Sequence, residues 1–188
     1  MIANQSTYDR MSVVLHWVVG LGIILLAGTE LLRHEFPKGH FIREGLKSIH
    51  QPLGTILFGL ILVRVTWRLM LAKVPGGAQG GRLAGLAASA VHVLLYAVMI
   101  ALPLAGLVYV FGSDKSVDFF GLYTLAVPLK AVFGGVAKSA REIHEALGVG
   151  ILLLAGVHAV AALGHHYLLK DGVLARMSFR SGRDRAAV

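Results

Sequence analysis

The chain contains no cysteine. Disulfides, thiolate zinc sites, cysteine-held iron–sulfur clusters and covalently attached c-type haem, which needs Cys-x-x-Cys-His, are therefore excluded. Charge is also scarce: Asp, Glu, Lys and Arg make up 15% of the 188 residues, against roughly 25% in an average soluble domain. Hydrophobic residues make up 56%, more than a water-soluble fold of this length could hide. The charges that exist avoid three long runs: Met11 to Thr29, Leu83 to Ser113 and Ala146 to Leu169 contain none over 19, 31 and 24 positions. Each run reaches the roughly 18 apolar residues that a bilayer-crossing helix needs. The sequence predicts an all-α integral membrane protein.

Four spans are expected, at about 6–32, 48–71, 86–111 and 141–169, in one domain covering 1–188, with a basic tail over 170–188. Ser6-Thr7-Tyr8-Asp9 offers a capped start to the first. Its apolar stretch is too long for a signal peptide and no small-residue cleavage site follows. Pro52 fits the first turn of the second span, whose Arg64 and Arg68 are expected to snorkel to the surface. Pro103 lies inside the third, where neighbouring helices can re-satisfy the freed carbonyl. Pro75 to Arg82 reads as a glycine-rich linker, and 112–140 as a mixed connection with a short surface helix.

Four spans put both termini on one side. If that side is the cytoplasm it receives ten basic residues against eight opposite, so the positive-inside rule favours cytoplasmic termini. The net charge of +8 then reads as topology signal and lipid-headgroup contact rather than nucleic-acid binding, since no basic stripe with interleaved aromatics appears.

Histidine is what the chain has in excess: nine, against ten acids. His144 and His158 share the last span, 14 residues apart, hence within about 40° on one face and about 21 Å along the axis. His165 continues the stripe, while His166 turns away by about 100°. With termini inside, His16 lies in the inner half of the first span and His50 in the outer half of the second. Depths then match in pairs, His16 with His158 and His50 with His144. Two stacked bis-imidazole sites are what two b-type haems need. Gly20, Gly54, Gly148 and Ala162 stand four residues after the four histidines, leaving room for a flat macrocycle. His92 is followed at that spacing by Tyr96, which argues against a ligand role. Acids are confined to span ends, so neither a proton relay nor a metal-transport path is well supplied.

His16-Trp17, Ile100-Ala-Leu-Pro-Leu-Ala-Gly-Leu107, Ile143-His-Glu145, and His158 followed by His165-His166-Tyr167 and Lys170-Asp171 closely resemble the bacterial cytochrome b561 family over nearly the whole chain. Within it the chain is most similar to the superoxide oxidase type, diheme inner-membrane proteins that pass electrons from periplasmic superoxide to ubiquinone. The resemblance implies His16 and His158 on the inner haem iron, His50 and His144 on the outer, and a quinone contact at His165. His92 is a second candidate quinone contact. Arg43, Lys47, Lys138 and Arg141 gather at the outer level, where they suit haem propionates or could steer an anion inward. Two other readings stay open: a cytochrome b subunit serving a periplasmic dehydrogenase or hydrogenase partner, and a haem-free, histidine-rich metal carrier.

Overall fold

The computed structural model describes residues 7–72 and 81–179. Four helices are long and apolar enough to cross a membrane: Arg10–His34, Phe41–Met70, Arg82–Gly112 and Lys130–Leu169. The expected start at Ser6, most of the glycine-rich linker and the tail beyond 179 lie outside the described residues.

Helix α1 (Arg10–His34) starts at Asp9, whose carboxylate accepts from Ser12 N at 2.9 Å, Ser12 Oγ at 2.7 Å and Trp67 Nε1 at 3.1 Å. Burial opposes ionisation of Asp9, but these bonds outweigh it and hold the carboxyl below its ordinary range. Helix α2 (Phe41–Met70) begins seven residues before the expected 48. Its first turns carry Arg43, Glu44 and Lys47, so the polar stretch marks where the helix leaves the apolar layer, not where it starts. Pro52 is consequently a buried mid-helix residue rather than a first-turn one, and its missing N–H costs Ser48 an intrahelical donor. Helix α3 (Gly81–Gly112) contains Pro103.

The 112–140 connection holds more than the expected surface helix. Strands β1 (Val117–Phe119) and β2 (Tyr123–Leu125) pair antiparallel, Val117 opposite Leu125. Their reversal uses left-handed backbone at Phe120 and Gly121, glycine being suited to it. Val117 is buried with Val110 and Phe111 of α3, which pins the hairpin over the helix ends. A single-turn α4 (Lys130–Phe133) and a 3-10 turn lead into α5 (Ala137–Gly164). That helix starts four residues before the expected 141 and runs on as a π turn, His165–Leu169.

Helix α1 packs along α2, and α3 along α5; α2 joins the two pairs, while α1 and α5 touch sparsely. The shared core is Val19, Leu26, Leu57, Ile61, Met99 and Ile151. Leu21, Ile24, Leu25 and Leu31 of α1 stay exposed, as a lipid-facing surface should, since close packing rather than water exclusion holds helices together in a bilayer. Trp17 Nε1 donates to the Met177 carbonyl at 2.9 Å and Tyr8 N to the Arg176 carbonyl at 3.4 Å. Both ends of the described chain therefore meet at one end of the bundle, the terminal end; the hairpin and the α1–α2 turn form the loop end.

Candidate functional site

Histidines of α1, α2 and α5 form two facing pairs. Near the loop end, His50 of α2 faces His144 of α5 with ring centroids 6.2 Å apart and planes at 82°. Toward the terminal end, His16 of α1 faces His158 of α5 at 6.1 Å and 68°. Helix α5 supplies one member of each pair, as its 14-residue spacing requires.

The loop-end pair is held by backbone carbonyls. His144 Nδ1 lies 2.8 Å from the Leu102 carbonyl, and His50 Nδ1 lies 3.2 Å from the Leu26 carbonyl and 3.2 Å from Thr29 Oγ1. A carbonyl only accepts, so both rings carry hydrogen on Nδ1 and keep the Nε2 lone pair. The Leu-Pro-Leu-Ala-Gly run of α3 thereby acquires a local purpose: Leu102 offers the carbonyl, and Gly106 makes room. A Cβ on Gly106 would stand 2.9 Å from Cε1 and Nδ1 of His144. Neither role is visible from residue spacing alone.

The terminal-end pair has polar company instead. Arg64 Nη2 donates to His16 Nδ1 at 3.2 Å, and its guanidinium lies 5.9 Å from the centre of the Tyr96 ring. Arg64 thus turns into the bundle, contrary to the expectation that it snorkels away. Arg68 lies over Tyr8 at 5.3 Å. A third imidazole, His92 of α3, stands 5.2 Å from His158, its Nδ1 bonded to the Ala88 carbonyl at 2.7 Å. Two turns past His158 on the stripe, His165 pairs through Nδ1 with Asp171 Oδ2 at 2.6 Å. Spacing could not reveal Asp171, because an irregular turn brings it back.

The basic residues expected at the loop end are largely engaged. Arg43 Nη1 donates to the carbonyls of Arg33 at 3.1 Å and Phe36 at 2.8 Å, closing the end of α1. Arg33 is itself paired with Glu30. Lys47 lies 3.9 Å from Glu44, and Arg141 Nε donates to Glu145 at 2.8 Å. Lys138 is exposed. These groups share one end of the bundle, yet they form no single basic cluster.

Residues 7–180 match the family model described as prokaryotic cytochrome b561. The chain is 29% identical to cytochrome b561 homolog 1 of Escherichia coli, over 92% of this chain and 97% of that protein. It is likewise 29% identical to a protein of Yersinia pestis named probable superoxide oxidase CybB, over 92% of this chain and 96% of that one. Cytochrome b562 of Cereibacter sphaeroides is 28% identical over 94% and 98%.

Proposed function

The chain belongs to the prokaryotic cytochrome b561 family, membrane electron-transfer proteins that bind b haem, and from that premise we propose that it holds two b haems and moves single electrons from superoxide at its loop end to ubiquinone at its terminal end. In this reading the terminal end faces the cytoplasm and the membrane is the bacterial inner membrane. His16 and His158 hold the inner haem; His50 and His144 hold the outer one.

One observation carries the reading, the spacing of the imidazole pairs. A metal–imidazole bond is about 2 Å long and the ring centre lies about 1.1 Å beyond the nitrogen, so two trans ligands of one iron place their centroids about 6 Å apart. The pairs stand at 6.1 and 6.2 Å. His92 at 5.2 Å from His158 is too close to share an iron with it in that way. The carbonyl bonds at His50 and His144 support the same assignment, because ligating histidines commonly donate their second N–H to such a group. At Gly20 and Gly148 an added Cβ would meet nothing within 4 Å, and at Gly54 only Leu26 at 4.0 Å, which leaves space one turn from three of the four rings. Among the described residues no three His, Cys, Asp or Glu gather to hold a bare metal ion, which weighs against the metal-carrier reading.

When bound, two haems supply one-electron carriers in series, suited to a one-electron donor and a two-electron acceptor. The chain's own groups do the rest. Arg64 and Arg68 would hold the carboxylates of the inner haem: Arg68 Nη1 is buried without a hydrogen-bond partner among the described residues, a donor suited to an anion. His165 receives the quinone, with His92 beside it. Lys47, Lys138 and Arg141 bias the outer face toward an anionic donor. Superoxide as donor leans on the name of the Yersinia relative.

The test is a visible spectrum followed by stopped flow. The purified protein should carry low-spin, six-coordinate b haem at two per chain. A superoxide pulse should reduce it without any added protein, and a short-chain ubiquinone should reoxidise it. A colourless preparation from haem-replete cells would overturn the site assignment. Reduction only after addition of a dehydrogenase or hydrogenase would replace superoxide with a protein donor.

A further inference from the structure

We propose that Asp171 locks the tautomer of His165 and makes the two a proton-transferring dyad at the quinone, Asp171 positioning and His165 touching the substrate. This rests on the quinone reading above.

The geometry is built for the pair. Regular helix stops at Gly164, the next five residues form a π turn, and Lys170 takes a left-handed backbone at φ 51°. Wide turns of this kind frequently mark functional sites. The reversal brings Asp171 back onto the helix end. Its Oδ2 lies 2.6 Å from His165 Nδ1 and its Oδ1 accepts from Val173 N at 3.2 Å. The Asp171 side chain is 4% exposed, that of His165 23%, so the acid is enclosed and the ring keeps an open edge. The bonds that tie Met177 to Trp17 and Arg176 to Tyr8 anchor the same segment to α1 and to the residues just before it. Burial works against ionisation of Asp171, yet the bonds from His165 and Val173 prevail and hold its carboxyl below the usual range. It is a carboxylate at neutral pH.

A carboxylate only accepts. Nδ1 of His165 therefore keeps its hydrogen whether the ring is neutral or charged, and all proton traffic passes through Nε2. The neutral ring presents a bare Nε2, which accepts from a quinol O–H but cannot donate to a quinone carbonyl. The imidazolium presents Nε2–H, which donates to that carbonyl while the Asp171 carboxylate balances its charge. Reduction of quinone to quinol takes two electrons, delivered singly by the protein, and two protons. One proton leaves His165 Nε2 for a quinone oxygen, water at the inner surface supplies the other, and water then restores the proton on Nε2.

Asp171→Asn tests this at nearly constant volume. The Val173 N–H claims the amide oxygen, so the NH2 group faces His165 Nδ1 and drives the ring to the Nε2–H tautomer. Reoxidation of the chemically reduced holoprotein by a short-chain ubiquinone should slow about tenfold or more at saturation, while the half-saturating concentration stays within about twofold. The haem spectrum should not change. Histidine 15N resonances should report Nδ1–H at His165 in the parent and Nε2–H in the variant, a readout independent of turnover. Asp171→Glu should restore part of the rate. A saturating rate within about twofold of the parent, an unaltered tautomer, or a loss confined to the half-saturating concentration overturns the dyad. Normal reoxidation in His165→Ala overturns the quinone reading and the dyad with it; normal reoxidation in Asp171→Asn alone overturns only the dyad.

Discussion

The two imidazole pairs have almost the same spacing and quite different surroundings. At the loop end both Nδ1 atoms point at backbone carbonyls, and Gly106 leaves His144 hardly any latitude. Orientation there is a property of the main chain, set before any ligand arrives. At the terminal end His16 receives a hydrogen bond from a guanidinium. Arginine only donates, so Nδ1 of His16 accepts and its hydrogen sits on Nε2, the nitrogen that would have to bind iron. If His16 holds haem as proposed, Arg64 would have to release the ring, and a haem carboxylate would be a fitting new partner for it. One pair is oriented by main-chain carbonyls; the other has a cation beside it.

That contrast can be broken by mutation, and the largest effects fall on the ligands themselves. His16→Ala or His158→Ala should remove the inner haem and leave one per chain, and His50→Ala or His144→Ala should remove the outer one. Haem quantification with the low-temperature spectrum separates the two cases, and loss of both haems from a well-folded single variant would contradict independent sites. Next comes Gly106→Ala. Its Cβ would press on His144 at 2.9 Å, an overpacking cost of about 1–3 kcal/mol, so the outer haem alone should become labile, with a lower thermal midpoint for haem release. Arg64→Met should spare haem content at the outer site and lower the inner midpoint potential. Removing a full positive charge about 6–7 Å from a redox centre is worth about 2–3 kcal/mol at an effective dielectric of about 20, or on the order of 100 mV for one electron. Equal shifts at both haems in a redox titration would dissolve the comparison. The smallest effect is expected from Lys47, Lys138 and Arg141 replaced together by glutamine. Lys47 and Arg141 already have carboxylate neighbours, so the superoxide rate should fall by no more than about threefold and its salt dependence should flatten; an unchanged salt slope removes steering.

The spans were legible because an apolar layer leaves few other ways to arrange 19 to 31 uncharged residues. The meeting of His16 with His158, and of His50 with His144, was legible for a related reason: helices of fixed rise cross at fixed depth, so spacing converts to level. What escaped depended on side chains or on irregular backbone. The charged first turns of α2 looked like a connection, because composition reports the solvent and not the hydrogen bonds. Arg64 read as a surface-seeking residue, since nothing in the chain announces that Ser12, His16 and Tyr96 would gather around it. His92 was placed on its helix without the knowledge that α3 turns that face toward His158. The hairpin left a faint trace in the alternation of Val117, Phe119, Tyr123 and Leu125. Asp171 stood out only as part of the Lys170-Asp171 pair, without a link to His165, because its return to that ring depends on a π turn and one left-handed residue.

Both imidazole pairs borrow a member from α5, the last of the four helices to leave the ribosome. A nascent chain with three helices inserted holds His16 and His50 facing no partner on α5, and neither clasp can close on it. If the pairs hold haem as proposed, neither two-histidine site is complete until synthesis has delivered α5, and both would become complete within the same step of biogenesis rather than one after the other.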